Sequence, residues 1–418
     1  MKKLVISTVF TVFLVGLKAQ IIADHTVVDQ YDQIPDEYLN KVKTMLVEMA
    51  GESHSSTFNY GSNLLEQFDS KFQSTYFGGT PPAETTGFLR IGKIDNVGEE
   101  TYFASSSAID GYKARIANQN NTGNVFDVMG FVWCWDMYYD PAPGGGLDPV
   151  YNVHWGGTIE GGPERPEGIK RWGLDSEDTE LTGNSVSMDT YLNTVLDYQQ
   201  YCIDNGWGTK IIFTTGPVDD TYPDSEGNED GVQREIKHNY IREFVNKDPQ
   251  RILFDYADIL CWNNAGEKYE GVWNDGGTLR YHAHIHPDNT MDYDDNWNVI
   301  QGKEDGDHIG EVGSLRIMKA MWWMLARIAG WEGVPTDNGN VDQNTVTLKK
   351  MNDRFIIELR NNNAYNQYSI YNIKGSQLKN SQINSQLVDI PTGNMQPGVY
   401  FISLSGDSEN RTLKVVID

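Results

Sequence analysis

The stretch Phe126-Asp127-Val128-Met129-Gly130-Phe131-Val132 decides the fold class. It is apolar, short and uninterrupted by a polar face, which suits a strand buried on both sides, as in a parallel sheet covered by helices. Lys210 to Thr214 and Ile252 to Phe254 have the same character. Between and after these runs the apolar spacing becomes helical. Met188 to Ile203 repeats Tyr191, Leu192, Val195, Leu196, Tyr198 and Cys202, and Val232 to Val245 repeats Ile236, Tyr240, Ile241 and Phe244. Ser314 to Ile328 is a third helical pattern. Strands alternating with helices predict an α/β domain, a three-layer sandwich around a parallel sheet. Two long segments, Pro141 to Gly183 and Trp262 to Glu304, lack periodicity. Loops of that length are uncommon unless functional. In open α/β sheets they emerge at the carboxyl ends of strands, where ligands gather.

A chain of 418 residues is expected to hold two domains. Residues 1–19 read as a signal peptide: Lys2-Lys3, an apolar run from Leu4 to Leu17, then Lys18-Ala19. The run is short for a membrane span, and no second one follows, so an exported protein without a membrane span is expected. Residues 20–332 form the α/β domain and residues 333–344 a polar linker. Residues 345–418 alternate as Thr345 to Leu348, Arg354 to Leu359, Gln367 to Asn372, Gln386 to Ile390, Gly398 to Ser405 and Arg411 to Ile417, the pattern of a small C-terminal β-sandwich. The net charge of −26 excludes nucleic acid and anionic membranes as partners, because the chain repels phosphate. Cys134, Cys202 and Cys261 lie among apolar residues and have no zinc-like spacing, so burial is expected.

Chemistry is concentrated in a few places. Gly51-Glu52-Ser53-His54-Ser55 follows a helix-like stretch, Tyr38 to Val47, and sets Ser53 on a glycine-containing turn. Asp305-Gly306-Asp307-His308 supplies a carboxylate and an imidazole three residues apart, just before the last helical pattern. A serine hydroxyl becomes nucleophilic when an imidazole takes its proton and a carboxylate orients the imidazole. His282-Ala283-His284-Ile285-His286 would put three imidazoles on one face of a strand, but Pro287 ends the segment, and a substrate-loop role is expected rather than a metal site. Asp288, Asp292, Asp294 and Asp295 lack calcium-loop spacing and read as a solvated loop. Trp133, Trp135, Tyr138, Tyr139, Trp155 and Trp172 lie in or beside the first long segment. Trp133 reads as core, the loop residues as sugar-stacking surfaces. Trp322-Trp323 read as core. Arg165, Arg171 and Arg280 are scarce cations that would either bind an anionic sugar or pair with a neighbouring acid.

Gly51-Glu52-Ser53 early, Asp305-x-x-His308 late, and the core-strand segments Ile211 to Pro217 and Ile252 to Asp258 together resemble the SGNH (GDSL-like) hydrolase family over residues 40 to 330. The resemblance implies Ser53 as nucleophile, His308 as base and then acid, Asp305 as its orienting carboxylate, and the Ser53 backbone N–H as an oxyanion donor. The family's asparagine donor falls at Trp135, whose indole N–H is a different donor, and its glycine donor at Gly92 or Gly111. His54, Tyr139, Arg171, Arg280 and His284 are the expected substrate contacts. No metal or cofactor is implied. The C-terminal segments Tyr368 to Gly375, Met395 to Ile402 and Lys414 to Asp418 resemble the sorting domain of the type nine secretion system. That domain implies export in the manner of Bacteroidota, secretion machinery as partner, and a secreted or cell-surface location. The expected activity is ester hydrolysis on a polysaccharide or oligosaccharide, such as deacetylation. A polysaccharide lyase on this fold and a non-catalytic glycan-binding protein are the alternatives.

Overall fold

The computed structural model describes residues 19–134, 137, 146–156, 172–218, 229–290, 309–334, 346–351, 354–359, 365–372, 376–383, 385, 387–393, 395–406 and 410–417. The chain divides into two compact units, Met1–Val334 and Pro335–Asp418.

The first unit runs β1 (Ile22–Ala23), α1 (Asp36–Val42), β2 (Leu46–Gly51), α2 (Thr57–Phe68), β3 (Ser74–Gly78), β4 (Leu89–Lys93), α3 (Glu99–Tyr102), α4 (Ser106–Asn120) and β5 (Val128–Val132). It continues with α5 (Thr179–Thr182), α6 (Met188–Asp204), β6 (Lys210–Ile211), β7 (Phe213–Thr214), α7 (Glu229–Asn246), β8 (Leu253–Phe254), α8 (Tyr256–Cys261), β9 (Glu270–Asp275), β10 (Thr278–Ala283) and α9 (Glu311–Ile328). Two parallel ladders, β3-β4-β2-β5-β6 and β1-β8-β7, form the sheet. Ile212 knits them together: its N–H donates to Met129 O at 2.8 Å, and the next N–H, Phe213, donates to Ile252 O at 2.9 Å.

Side chains leave each strand on alternate faces, and both faces are apolar. Val47 and Met49 of β2, with Val128 and Val132 of β5, join one core with Phe58, Leu65, Met318 and Trp322. Leu46, Ala50, Met129 and Phe131 join the other with Tyr112, Tyr191, Val195 and Tyr198. The sheet is therefore covered by helices on both faces, as the apolar runs predict. Trp133, Trp322 and Trp323 are core residues. The helix expected over Tyr38 to Val47 is formed only in its first half. α1 ends at Val42, and Leu46–Gly51 is the central strand, buried at every position. The second long segment is also more regular than expected, since β9 and β10 pair as an antiparallel hairpin.

The second unit has two antiparallel sheets. One is β11 (Val346–Met351), β12 (Arg354–Leu359) and β15 (Leu387–Pro391). The other has the order β14 (Gln377–Gln382), β13 (Gln367–Asn372), β16 (Gly398–Ser405) and β17 (Asn410–Ile417). Phe355, Ile357, Ile370, Ile402, Leu404 and Val415 fill the core between them. The expected sandwich is formed, with β14 added.

Glu48 is the anomaly of the sheet: a carboxylate in the middle of β2 with no exposed surface. It accepts hydrogen bonds from Ile94 N–H at 3.4 Å and Tyr112 O–H at 3.3 Å. Burial pushes its pKa up to about 7, partly opposed by the Arg115 guanidinium. The folded state therefore holds this proton more tightly than the unfolded chain does. Its contribution to stability is fullest below about pH 4.5 and is lost as pH rises to about 7, roughly 3 kcal/mol across that window. A glutamine there keeps an acceptor without the charge. Glu48→Gln is expected to raise the thermal midpoint at pH 8 and leave it unchanged at pH 4. An equal shift at both values would show that the buried charge is not what costs stability.

Candidate functional site

The chain leaves β2 and builds β4 on one side of it and β5 on the other. The carboxyl ends of these neighbours flank the point where strand order reverses, the usual position for a ligand crevice. Gly51 ends β2 with φ +143°, a conformation that favours glycine. A Cβ on Gly51 would collide with the carbonyl oxygen of Val132 at the end of β5. Only glycine lets the two strand ends come this close. The chain then turns through a short 3-10 helix, Ser53–Ser56, directly into α2. Lys93, the last residue of β4, fastens the turn by donating from Nζ to Glu52 O at 2.7 Å and Gly51 O at 3.5 Å.

Ser53 and His54 thus stand beside the residues that follow β5. Ser53 Oγ lies 3.0 Å from Cys134 Sγ, and His54 Nδ1 lies 3.3 Å from the same sulfur. His54 is buried and Ser53 is partly exposed. Tyr256, at the start of α8, donates its O–H to His54 O at 3.4 Å and packs edge-on to the His54 ring. The sequence pointed to Ser53 and His54 but not to Cys134, Tyr256 or Lys93. Their signal is positional: each follows or ends a parallel strand.

The other expected site residues are distributed differently. Asp305, His308, Trp135, Tyr138, Tyr139, Arg165, Arg171, Asp292, Asp294 and Asp295 lie outside the described residues. Gly111 is inside α4, where its N–H belongs to the helical ladder, so it is not placed to donate to an oxyanion. Gly92 sits in β4 between β3 and β2, and a Cβ there would strike the Phe77 backbone. Its absent side chain is explained by strand packing. Arg280 is already engaged: it donates to Tyr151 O at 2.9 Å and Asn152 O at 3.0 Å, pairs with Asp275 at 3.4 Å and lies over Trp273. It fastens the hairpin to residues 151–152 rather than presenting a cation to an anionic sugar.

His284 is fully buried, with Nδ1 near Ile285 O, so substrate does not reach it in this conformation. His282 turns to Ala283 O, while His286 accepts from Asp288 N–H and pairs with the Asp288 carboxylate. The three rings do not converge. Trp155 and Trp172, expected as sugar-stacking surfaces, are buried. Lys237 of α7 lies near both indoles and donates to Met137 O and Gly156 O. Burial pushes the Lys237 pKa down to about 7, with nearby Arg234 adding to the shift.

A second polar cluster lies at the carboxyl ends of β1 and β8. His25 Nδ1 is 2.5 Å from Asp258 Oδ2, and its ring stacks on Trp262 at 4.0 Å. Asp24, His25 and Asp258 bring one ligand atom each within 4.8 Å, the metal-competent group among the described residues. The His25–Asp258 spacing is shorter than two ligands on one zinc ion would adopt with bonds of about 2.0–2.2 Å, and fits a direct hydrogen bond. Asp24 is committed to capping the 3-10 helix His25–Gln33 through Thr26 N–H. Cys134, Cys202 and Cys261 are all unpaired in disulfides and buried.

Residues 351–418 match the secretion system C-terminal sorting domain family. The protein is a secreted or cell-surface protein of the type nine system. This domain implies contact with the secretion machinery. Among the described residues no helix is long and apolar enough to cross a membrane. No curated protein matches the chain. Among solved structures, an immunoglobulin-like β-sandwich protein of the DUF3244 family from Bacteroides vulgatus is 16% identical, covering 18% of this chain and 88% of its own, with a TM-score of 0.18. An FMN-binding beta-glucuronidase from Facaelibacterium prausnitzii is 8% identical, covering 96% of this chain and 56% of its own, with a TM-score of 0.24. Neither likeness bears on the site.

Two outcomes follow from this arrangement. Gly51→Ala forces a side chain into the Val132 carbonyl at a disfavoured φ. It is expected to cost at least about 2 kcal/mol in a urea melt; a wild-type midpoint would show that the strand ends are free to part. Deleting residues 335–418 is expected to leave the first unit folded, with a cooperative thermal transition, while fractionation finds it retained in the producing cell. Export of the truncated protein at the wild-type level would show that sorting does not depend on the tail.

Proposed function

We propose that the first unit is a secreted serine esterase of the SGNH type that hydrolyses ester groups on a polysaccharide or oligosaccharide, with Ser53, His308 and Asp305 as nucleophile, base and orienting carboxylate. One observation carries this reading: α2 and α9 pack in parallel. Thr57 Oγ1 donates to Ser314 Oγ at 3.2 Å, and Ser62 Oγ donates to Met318 Sδ at 3.7 Å. Gly61 leaves no room for a Cβ against the Ser314 carbonyl. Residue number therefore rises in the same direction along both helices, and their N-termini lie at one end of the pair. The turn carrying Ser53 enters α2 at that end. Ile309 and Gly310, the residues directly after His308, enter α9 there too, and Gly310 N–H is held by Asn289 O at 2.8 Å.

In the proposed reaction Ser53 Oγ attacks the ester carbonyl carbon while His308 takes its proton. The same proton then passes to the departing sugar oxygen, and water, deprotonated by His308, releases the acid from Ser53. Ser53 opens the 3-10 turn, and its backbone N–H is the proposed oxyanion donor.

Release of acetate from acetylated xylan or pectin, and hydrolysis of p-nitrophenyl acetate, test the reading. Ser53→Ala and His308→Ala are each expected to remove nearly all turnover. The double variant should lose little more, because members of one catalytic unit are not additive. A Ser53→Ala protein with near-normal rates would reject the serine mechanism. Absorbance from an unsaturated uronate without acetate release would favour the lyase.

A further inference from the structure

We propose that Cys134 is a positioning residue for Ser53, through a directed hydrogen-bond chain in which His54 Nδ1–H donates to Cys134 Sγ and the Cys134 S–H donates to Ser53 Oγ. The inference deepens the serine reading and rests on it for its catalytic consequence, but the chain itself is a property of three side chains. Sγ stands 3.0 Å from Ser53 Oγ and 3.3 Å from His54 Nδ1, so one sulfur meets both groups. A thiol has a single proton to give and a lone pair that accepts. The chain therefore has a direction.

Two directions run through the thiol proton. In one, Ser53 O–H points at sulfur and S–H points at His54 Nδ1, so the hydroxyl proton is directed away from any base beyond the cluster. In the other, the imidazole donates to sulfur and the thiol donates to Oγ, leaving the hydroxyl proton for transfer elsewhere. Only the second agrees with Ser53 as a nucleophile activated by another residue. It also fixes His54 as its Nδ1–H tautomer.

The surroundings hold the three groups together. The Val132 carbonyl abuts Gly51, so residues 53–54 and 134 leave adjacent strand ends side by side. His54 and Cys134 are buried, and Tyr256 O–H donates to the His54 carbonyl. Polar atoms enclosed in this way are costly when left unmatched.

The two directions predict opposite tautomers of the neutral His54 ring, read from the 15N shifts of its two ring nitrogens and assigned by the loss of those signals in His54→Asn. If the imidazole donates to sulfur and S–H donates to Oγ, Nδ1 carries the ring proton; if S–H donates to His54, Nδ1 is the unprotonated nitrogen. An unprotonated Nδ1 would overturn the direction, and His54 ring shifts unchanged in Cys134→Ala would overturn the contact. This arm is decisive even if the protein hydrolyses no ester. The second arm uses p-nitrophenyl acetate. Cys134→Ala is expected to lower kcat about 10- to 100-fold with KM within about twofold, and to move the pH–rate profile. Cys134→Ser, which keeps a donor and an acceptor, restores kcat to within about threefold. His54→Asn, with an amide N–H in place of Nδ1–H, is milder than His54→Leu. An alanine variant with the wild-type rate and pH profile, or a serine variant as slow as the alanine one, overturns the positioning role. Wild-type hydrolysis that survives Ser53→Ala sinks the serine reading alone.

Discussion

Everything at the candidate site depends on how close the ends of β2 and β5 come. The Val132 carbonyl occupies the space that a side chain at position 51 would need. Because Gly51 has none, the turn of Ser53 and His54 lies against Cys134 rather than a layer of side chains away. Lys93 then fixes the turn from the β4 side through the Glu52 carbonyl. Three neighbouring strands thus determine one small volume, and the covalent chain contributes little to it: Ser53 and Cys134 are separated by 81 residues. The helix that leaves the turn is held in the same way, since Gly61 brings α2 against the Ser314 carbonyl of α9.

The parts of the fold that the sequence predicts are those where burial and period agree. Phe126 to Val132, Lys210 to Thr214 and Ile252 to Phe254 are apolar throughout, and the structure makes strands of Val128–Val132, Lys210–Ile211 with Phe213–Thr214, and Leu253–Phe254. β2 was hidden for the opposite reason. Buried on both faces, it has no alternation, and Glu48 interrupts its apolar run with a charge. Leu39 and Val42 of α1, followed closely by Leu46 and Val47, then read as one continuous helical stripe. β14 was hidden because Gln377–Gln382 is polar and mostly exposed, so nothing in its pattern marks a buried face.

The site was legible only where its residues are neighbours in sequence. Gly51, Ser53 and His54 stand together, so a serine on a glycine turn could be recognised. Cys134 looked like core, which it is by burial, and nothing local shows that its sulfur faces two polar partners. The aromatic residues mislead in the reverse sense. Trp155 and Trp172 stand among Gly and Pro, which suggests an exposed loop, yet they are enclosed near Lys237. Arg280 is similar: a lone cation in an acidic chain suggests a substrate anion, but its guanidinium is matched by two carbonyls and Asp275.

Two buried charges set the electrostatic character of this region. Burial raises the Glu48 pKa to about 7 and lowers that of Lys237 to about 7. Glu48 costs stability increasingly as pH rises from about 4.5 to about 7, and Lys237 costs it increasingly as pH falls from about 10.5 to about 7. Between those limits both penalties are felt, and together they are greatest near neutrality. Neither group is distant from the site in the logic of the chain. Glu48 lies three residues before Gly51 in the strand that delivers Ser53, and Lys237 holds the carbonyls of Met137 and Gly156 on the segments that follow Cys134. Apolar residues in their places would relieve the cost but would surrender the hydrogen bonds to Ile94, Tyr112, Met137 and Gly156. Local instability accepted beside a site and offset by two apolar cores is the pattern expected where geometry, rather than maximal stability, is what the fold retains.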